Sequence, residues 1–272
     1  MKYILATDSF KGSLSSMEVE AEIAKVLTEK GADVVSLPMS DGGDGMLEAF
    51  TKALGGTIEP VYVHNQMMRR VDAAFGMTAD GTAIVEVAQA CGLELVKEDE
   101  RNPMRATTYG VGELLSRAVK RGCRNFIIGL GGSGTSDAGI GMLRALVDIF
   151  AKGKTFDDAM QTELGECRFT LACDVDNPLC GENGAACVFA PQKGATPQMV
   201  EQLDRMAKLF AEKSALHYGY DRSCCPGAGA AGGLGYAFMQ YLGAEMRSGA
   251  DMLLSLCRFD DVAKDADMII TG

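Results

Sequence analysis

The sequence predicts an α/β protein of two domains, and three observations carry that expectation. Short apolar runs alternate with segments of helical period along most of the chain. The alternation breaks near residues 55–56, where three strand candidates follow one another with only turns between them. At 272 residues the chain is long for one hydrophobic core and suits two.

The first element, 2–6 (KYILA), is a short apolar strand that runs into a polar turn at 7–13. Ser15 or Ser16 is placed to cap a helix over 17–29, with apolar positions at Val19, Ile23, Val26 and Leu27, and Gly31 stops it. A second strand, 33–37 (DVVSL), leads through SDGGDG into a helix over 46–54. This opening has the rhythm of a parallel sheet with covering helices. Residues 57–63, 71–77 and 82–87 then read as three strands of an antiparallel patch, and a domain junction is placed at about residue 56.

Alternation then resumes. A helix over 108–121 is ended by Gly122, and a strand at 125–130 (NFIIGL) runs into GGSGTSDAGIG. A helix over 138–150, a strand at 169–173 (FTLAC) and a long amphipathic helix over 197–217 follow. A glycine-tolerant helix over 230–242 comes after GAGAAGG, and 267–271 (DMIIT) is a last strand. A buried parallel strand should feed a turn and a further crossover, so the expectation is that the natural protein continues past this sequence.

The formal net charge of −11 gives no overall attraction for nucleic acid or an anionic membrane, so an anionic ligand must be held by local cations and backbone amides. No signal peptide and no apolar run of about 18 residues is visible. The nine cysteines form no CxxC pair and His64 and His217 stand alone, which argues against a zinc site. An odd cysteine count without an export signal favours reduced thiols in a cytoplasmic protein. The 33 glycines exceed the roughly 7% usual share and cluster at 42–45, 129–134 and 227–235. Such clusters mean tight turns or close approach of backbone to a ligand.

Six segments carry residue types that suit chemistry. Asp8-Ser9-Phe10-Lys11-Gly12 lies where a strand ends and a helix begins, the place where open parallel sheets bind ligands. Asp8 suits a base or metal ligand, Ser9 a donor and Lys11 a cation for phosphate; the alternative is a polar turn with a solvated lysine. Asp41-Gly42-Gly43-Asp44-Gly45 exposes amides at a helix N-terminus, which suits anions. Its two carboxylates fit bare phosphate badly but make sense with Mg²⁺ between, since that ion prefers oxygen ligands. The alternative is a helix cap with a flexible turn.

The loop 129–137 (GLGGSGTSD) contains GxGxxG directly after a strand, with Gly129, Gly131 and Gly134 at the glycine positions. Asp148 stands at a plausible distance for a dinucleotide site, but no separate second strand precedes it, and the dinucleotide fingerprint needs one. Phosphate cradling by the amides and by the Ser133 and Thr135 hydroxyls fits better, with Asp137 as a catalytic or metal-linked carboxylate. The run 227–233 (GAGAAGG) also matches GxGxxG but follows no strand; it is either a phosphate loop that includes Gly229 or a close-packing seam. Asp174-Val175-Asp176-Asn177-Pro178 and Gln192-Lys193-Gly194 add carboxylates and one cation, or are ordinary turns. The GKT at 153–155 lacks the leading glycine of a Walker A motif, and no HRD and DFG pair appears.

Taken in order, these segments resemble the type I glycerate kinase family. The resemblance runs through DSFKGSLS (8–15), PMSDGGDG (38–45), VEVAQACGL (85–93), NP (102–103), TTYGVGELL (107–115) and GLGGSGTSDAG (129–139). It continues through CDVDNPLCG (173–181), FAPQKGA (189–195), GAGAAGGLG (227–235) and ADMIITG (266–272), covering essentially the whole chain. The resemblance implies two α/β domains, a Rossmann-like parallel-sheet domain with a second one inserted, here 1–55 with 258–272 and 56–257. It implies phosphorylation of D-glycerate by ATP and Mg²⁺, giving 2-phosphoglycerate in the favoured reading. It points to Asp8, Ser9, Lys11, Asp41, Gly42, Gly43, Ser133, Asp137 and Gln192 as site residues.

The resulting expectation assigns catalysis to Asp8, Lys11 and Asp137, and metal binding to Asp41. Substrate or phosphate contacts fall to Ser9, Gly42, Gly43, Gly131, Gly132, Ser133, Thr135, Gln192, Lys193 and Gly229. The family usually reads GGSATNDGG, whereas this chain has Gly134, Ser136 and Ala138 at the variable places, and it stops at Gly272 where the family continues. A nicotinamide-dependent oxidoreductase using Gly129–Gly134, and a non-catalytic fragment that binds a small acid, are the alternatives.

Overall fold

The computed structural model describes residues 1–10, 13–40, 42–43 and 45–272. Strands β1 (Lys2–Ala6), β2 (Asp33–Ser36) and β9 (Met268–Thr271) form a parallel three-stranded sheet in the order β2-β1-β9. Helix α1 (Ser16–Glu29) connects β1 to β2. Ser15 starts it with a capping box: its Oγ accepts the Glu18 amide, and the Glu18 carboxylate accepts the Ser15 amide. Only part of the expected apolar face is covered. Val19 is buried, while Val26 is 51% exposed.

The second sheet has six strands in sequence order: β3 (Thr57–His64), β4 (Arg70–Met77), β5 (Thr82–Glu86), β6 (Asn125–Gly129), β7 (Arg168–Ala172) and β8 (Glu245–Arg247). The expected antiparallel patch is there, from Thr57 opposite Met77 to His64 opposite Arg70. It is one flank of a larger sheet, because β5, β6, β7 and β8 pair in parallel.

Side chains alternate between two faces with the pleat of each strand. Ala83 and Val85, Phe126 and Ile128, and Phe169 and Leu171 enter one core; Ile84 and Ala172 enter the other. Across β6 and β7 the register puts Phe126 opposite Phe169, and their rings stack at 4.9 Å. Helices α4 (Tyr109–Lys120), α5 (Ile140–Phe150) and α9 (Ala230–Tyr241) contribute Leu114, Leu115, Leu146 and Phe238 to the larger core. Burying each such side chain stabilises the fold by about 1.5–3 kcal/mol.

Helices α2 (Met46–Ala53) and α10 (Gly249–Leu256) cover the other face through Met46, Phe50 and Leu253. Helix α2 therefore precedes the junction expected at residue 56 and yet packs on the six-stranded sheet. Short helices α3 (Ala88–Cys91), α6 (Phe156–Met160), α7 (Ala185–Phe189) and α11 (Phe259–Ala263) lie in connections. The long helix α8 (Pro197–Tyr218) starts with Pro197 behind the Thr196 cap and stops at Gly219, whose φ is 76°. Helix α9 differs from expectation at its start. Ala231, Gly232 and Gly233 have left-handed dihedrals, so regular helix begins only after them.

Candidate active site

The candidate residues gather where the C-terminal ends of the parallel strands of the two sheets meet. Asp8 and Ser9 follow β1 and are partly exposed. The Asp8 amide donates to the Gly272 carbonyl at 2.8 Å, beyond the end of β9, and the Asp8 carboxylate accepts the Ser9 amide at 2.6 Å. Lys11 and Asp41, expected as a catalytic cation and a metal ligand, lie outside the described residues.

The turn after β2 joins the two sheets by backbone contact. Gly42 has φ of 98° and sits so close to the Ala172 carbonyl at the end of β7 that a Cβ would run into it. Glycine alone meets both conditions without strain. The Gly42 carbonyl accepts the Gly131 amide at 3.0 Å, and a side chain at Gly131 would strike Gly43. At the end of β5, the buried Glu86 carboxylate accepts the Leu47 amide at 3.2 Å in the first turn of α2. A negative group there complements the helix dipole.

The loop after β6 is less open than its glycines suggest. Leu93 donates to the Gly132 carbonyl at 2.8 Å and Gly134 to the Cys91 carbonyl at 2.7 Å, which holds Ser133 opposite Gly92 in a strand-like bridge. The Gly131 and Gly134 amides therefore serve the fold, and the expected amide cradle narrows to Gly132 and Ser133. Thr135 is fully buried with its hydroxyl 3.9 Å from the Cys91 thiol. It lies in the interior and not on the loop surface where a phosphate contact was expected.

Lys193 lies behind this loop in a single 3₁₀ turn, Pro191–Lys193, with the exposed Gln192 beside it. Its Nζ donates to the Ser133 Oγ at 3.0 Å and to the Thr135 carbonyl at 2.7 Å. Burial lowers its pKa to about 8, against the opposing influence of Cys91 and Asp137. The Cys91 thiol is itself pushed up to about 12 by burial, so it stays neutral.

Asp137 is tied down by four donors. Oδ2 accepts the Thr108 amide at 2.8 Å, the Thr108 hydroxyl at 2.9 Å and the Gly141 amide at 3.0 Å; Oδ1 accepts the Gly139 amide at 3.1 Å. The Thr108 hydroxyl in turn accepts the Met142 amide at 2.9 Å. One carboxylate thus ties the N-terminus of α4 to that of α5. Burial raises its pKa, and the hydrogen bonds from Thr108, Gly141 and Gly139 pull it back. With Oδ2 taken by three donors, Asp137 is a structural anchor of the loop more than a free base.

Gly229 stands apart from this group. Its amide donates to the Asn177 carbonyl at 2.8 Å, and a side chain there would meet the Pro178 carbonyl. Around Gly229 the 227–233 run packs as a seam, with the Gly229 amide already bonded to the fold. The same run braces the site loop, since the Gly232 carbonyl accepts the Ala138 amide at 3.0 Å. Ala138 itself has φ of 53°, a left-handed conformation at a place where the family pattern has glycine. Asp148 lies within α5 and accepts the Tyr109 hydroxyl at 3.1 Å, so it does not occupy the strand end that a dinucleotide site requires.

Sequence reasoning missed Gln66, Thr108 and Glu86. Gln66 is buried beside the loop, with Nε2 donating to the Gly92 carbonyl at 2.7 Å and its backbone carbonyl accepting the Thr107 amide. Glu86 carried a readable signal, a charged residue ending an apolar strand; Thr108 carried one too, a hydroxyl just before a helix.

Comparison with known proteins identifies the family. The glycerate kinase family matches residues 3–272. A glycerate kinase from Haemophilus influenzae is 40% identical over 293 residues, spanning 100% of this chain and 77% of that protein. A glycerate 2-kinase from Escherichia coli is 40% identical over 299 residues, spanning 100% and 76%. A crystal structure assigned to a glycerate kinase 2 from Salmonella typhimurium LT2 superposes with a TM-score of 0.84 at 38% identity, covering 100% of this chain and 78% of that one. On fold, motif order and similarity along its length, the chain belongs to the glycerate kinase family.

Proposed function

We propose that this protein transfers the terminal phosphoryl group of ATP to D-glycerate, with the 2-hydroxyl as acceptor. The observation that carries the reading is the Gly131–Gly42 contact, which brings the strand ends of both sheets to one place in a chain of this family. Ligands of open α/β sheets bind outside such strand ends.

Phosphoryl transfer asks for positioning and charge neutralisation more than for covalent chemistry. Asp8, partly exposed at the end of β1, orients the acceptor hydroxyl and draws on its proton. Asp137 positions the loop that carries Ser133. Ser9, the Gly132 and Ser133 groups and Gln192 contact the ligands, and Lys11 neutralises phosphoryl charge. Mg²⁺ needs only one or two protein carboxylates because it keeps several waters. Asp41 would hold it, and it would neutralise phosphoryl oxygens. Gly42 and Gly43 are read as ligand contacts through the backbone groups of the turn they form. The chain is read as a three-stranded unit, 1–55 with 258–272, carrying the six-stranded unit 56–257, with α2 packed across the boundary. No helix among the described residues is long and apolar enough to cross a membrane. The proposed place of work is the cytoplasm, on a small acid and not on nucleic acid.

The test is ADP release from ATP and Mg²⁺, with and without D-glycerate, and ³¹P NMR of the product. Glycerate-dependent ADP release with a 2-phosphoglycerate signal is expected. ADP release indifferent to glycerate would sink the reading, and a 3-phosphoglycerate signal would overturn the choice of hydroxyl.

A further inference from the structure

Lys193 is an enclosed cation with neutral partners. It is 2% exposed, its two hydrogen bonds go to a hydroxyl and a carbonyl, and no carboxylate among the described residues lies within ion-pair distance of it. The buried Asp137 carboxylate acts on Lys193 only from beyond ion-pair distance. Burying an ammonium without a direct ion pair is unfavourable, and a molecule of net charge −11 has many carboxylates that could have paired with it. The arrangement calls for a role beyond packing.

The geometry at Ser133 supplies one. An ammonium only donates, so the Ser133 Oγ must accept from Nζ, and the serine proton must point away from Lys193. The serine backbone is already fixed from both sides by the Leu93–Gly132 and Gly134–Cys91 bonds. Ser133 is 9% exposed and lies between the exposed Gly132 and the buried Gly134. The result is one preset O–H donor with a positive charge behind it. Such a donor suits an anionic oxygen and needs no reorientation when the ligand arrives.

We propose that Lys193 is a positioning residue that sets the Ser133 hydroxyl as a hydrogen-bond donor to an anionic oxygen of the bound substrates. The inference rests on the kinase reading above and goes beyond it, since it moves Lys193 from ligand contact to the layer behind. The anionic oxygen belongs either to the glycerate carboxylate or to an ATP phosphoryl group, and the KM that changes tells which.

The test is a double-mutant cycle of Ser133→Ala and Lys193→Met in the full chain, assayed by glycerate-dependent ADP release with thermal melts alongside. Each single variant is expected to lose at least ~10-fold in kcat/KM, and the double variant no more than ~2-fold beyond the worse single one. Multiplying losses would mean that the two act separately and would overturn the proposal. A pH profile is the second readout, because a merely structural lysine would not shape it. Facing Lys193 are Cys91 from α3 and Asp137 from the loop before α5. The wild type is expected to lose activity as pH rises past about 8, and Ser133→Ala to lose that alkaline limb. A limb that persists in Ser133→Ala, or a Ser133→Ala enzyme as active as wild type, would overturn the proposal even if Lys193→Met fails to fold. An inactive wild type would instead sink the kinase reading, and the inference with it.

Discussion

Gly131 donates its amide to the carbonyl of Gly42 across 3.0 Å, and through that bond the turn after β2 is seated on the end of β6. The contact is possible because neither residue has a side chain: one at Gly131 would strike Gly43, and one at Gly42 would strike Ala172. Two sheets that share no strand thus present their C-terminal edges side by side.

The first prediction concerns that seam. Gly42→Ala adds a Cβ at φ of 98° directly against backbone. The left-handed penalty and the overpacking together should destabilise the protein by about 3 kcal/mol. Glycerate-dependent turnover should fall by at least ~100-fold, because the strand ends can no longer meet. Urea unfolding and the ADP assay check both numbers. Retained turnover in Gly42→Ala would show that the seam does not shape the site.

The second concerns Asp137. Removing it leaves the Gly139, Gly141 and Thr108 amides without their acceptor at two helix N-termini. Asp137→Ala should therefore cost about 3 kcal/mol of stability. Thr108→Val removes only the hydroxyl that bridges Asp137 and the Met142 amide, and should cost about 1–2 kcal/mol. Because the two side chains share one network, the double variant should lose less than the sum. Denaturant midpoints of the three variants measure this; strict additivity would contradict the network.

These contacts show where sequence reading works and where it stops. Phe126, Ile128, Phe169 and Leu171 announce buried strands by composition and period two, and the loops after those strands announce the site. Ser15 and Glu18 announce the start of α1 in three residues of spacing. Such signals are local. What a glycine amide binds is not local: Gly131 finds Gly42, and Gly134 finds Cys91, each across tens of residues. The GxGxxG at 227–232 and the one at 129–134 look alike in sequence, and only the Asn177 carbonyl on the Gly229 amide shows that the former is a packing seam. Strand β8 stayed hidden because three residues, Glu245, Met246 and Arg247, carry no readable period. Lys193 reads as a phosphate-contacting cation in a turn, and only the tertiary fold shows it enclosed behind Ser133.

The third prediction separates Thr135 from its neighbour. The Thr135 hydroxyl meets only a thiol, at a distance typical of a weak sulfur contact. Thr135→Val keeps the shape and should change stability by less than about 1 kcal/mol and kcat/KM by less than about 2-fold. A large loss of activity in Thr135→Val would restore Thr135 as a ligand contact.

The last prediction concerns Glu20, which supports the segment leading to Asp8. Its Oε1 accepts the Thr7 amide at 3.1 Å, and the residue is 1% exposed on the buried face of α1. Burial raises its pKa from 4.5 to about 7, with the Thr7 amide and Lys52 opposing. Between those two values the folded chain holds a proton that the unfolded chain has released, so this group's contribution to stability falls as pH rises through that window. Above pH 7 the folded state carries a buried carboxylate with one hydrogen-bonded oxygen. Glu20→Gln removes the charge and keeps the shape. It should match the wild type near pH 4.5 and exceed it by on the order of 2–3 kcal/mol at pH 8. Urea unfolding of both proteins at the two pH values measures the gap. A gap that does not change with pH would mean that burial does not raise the Glu20 pKa above its unfolded value.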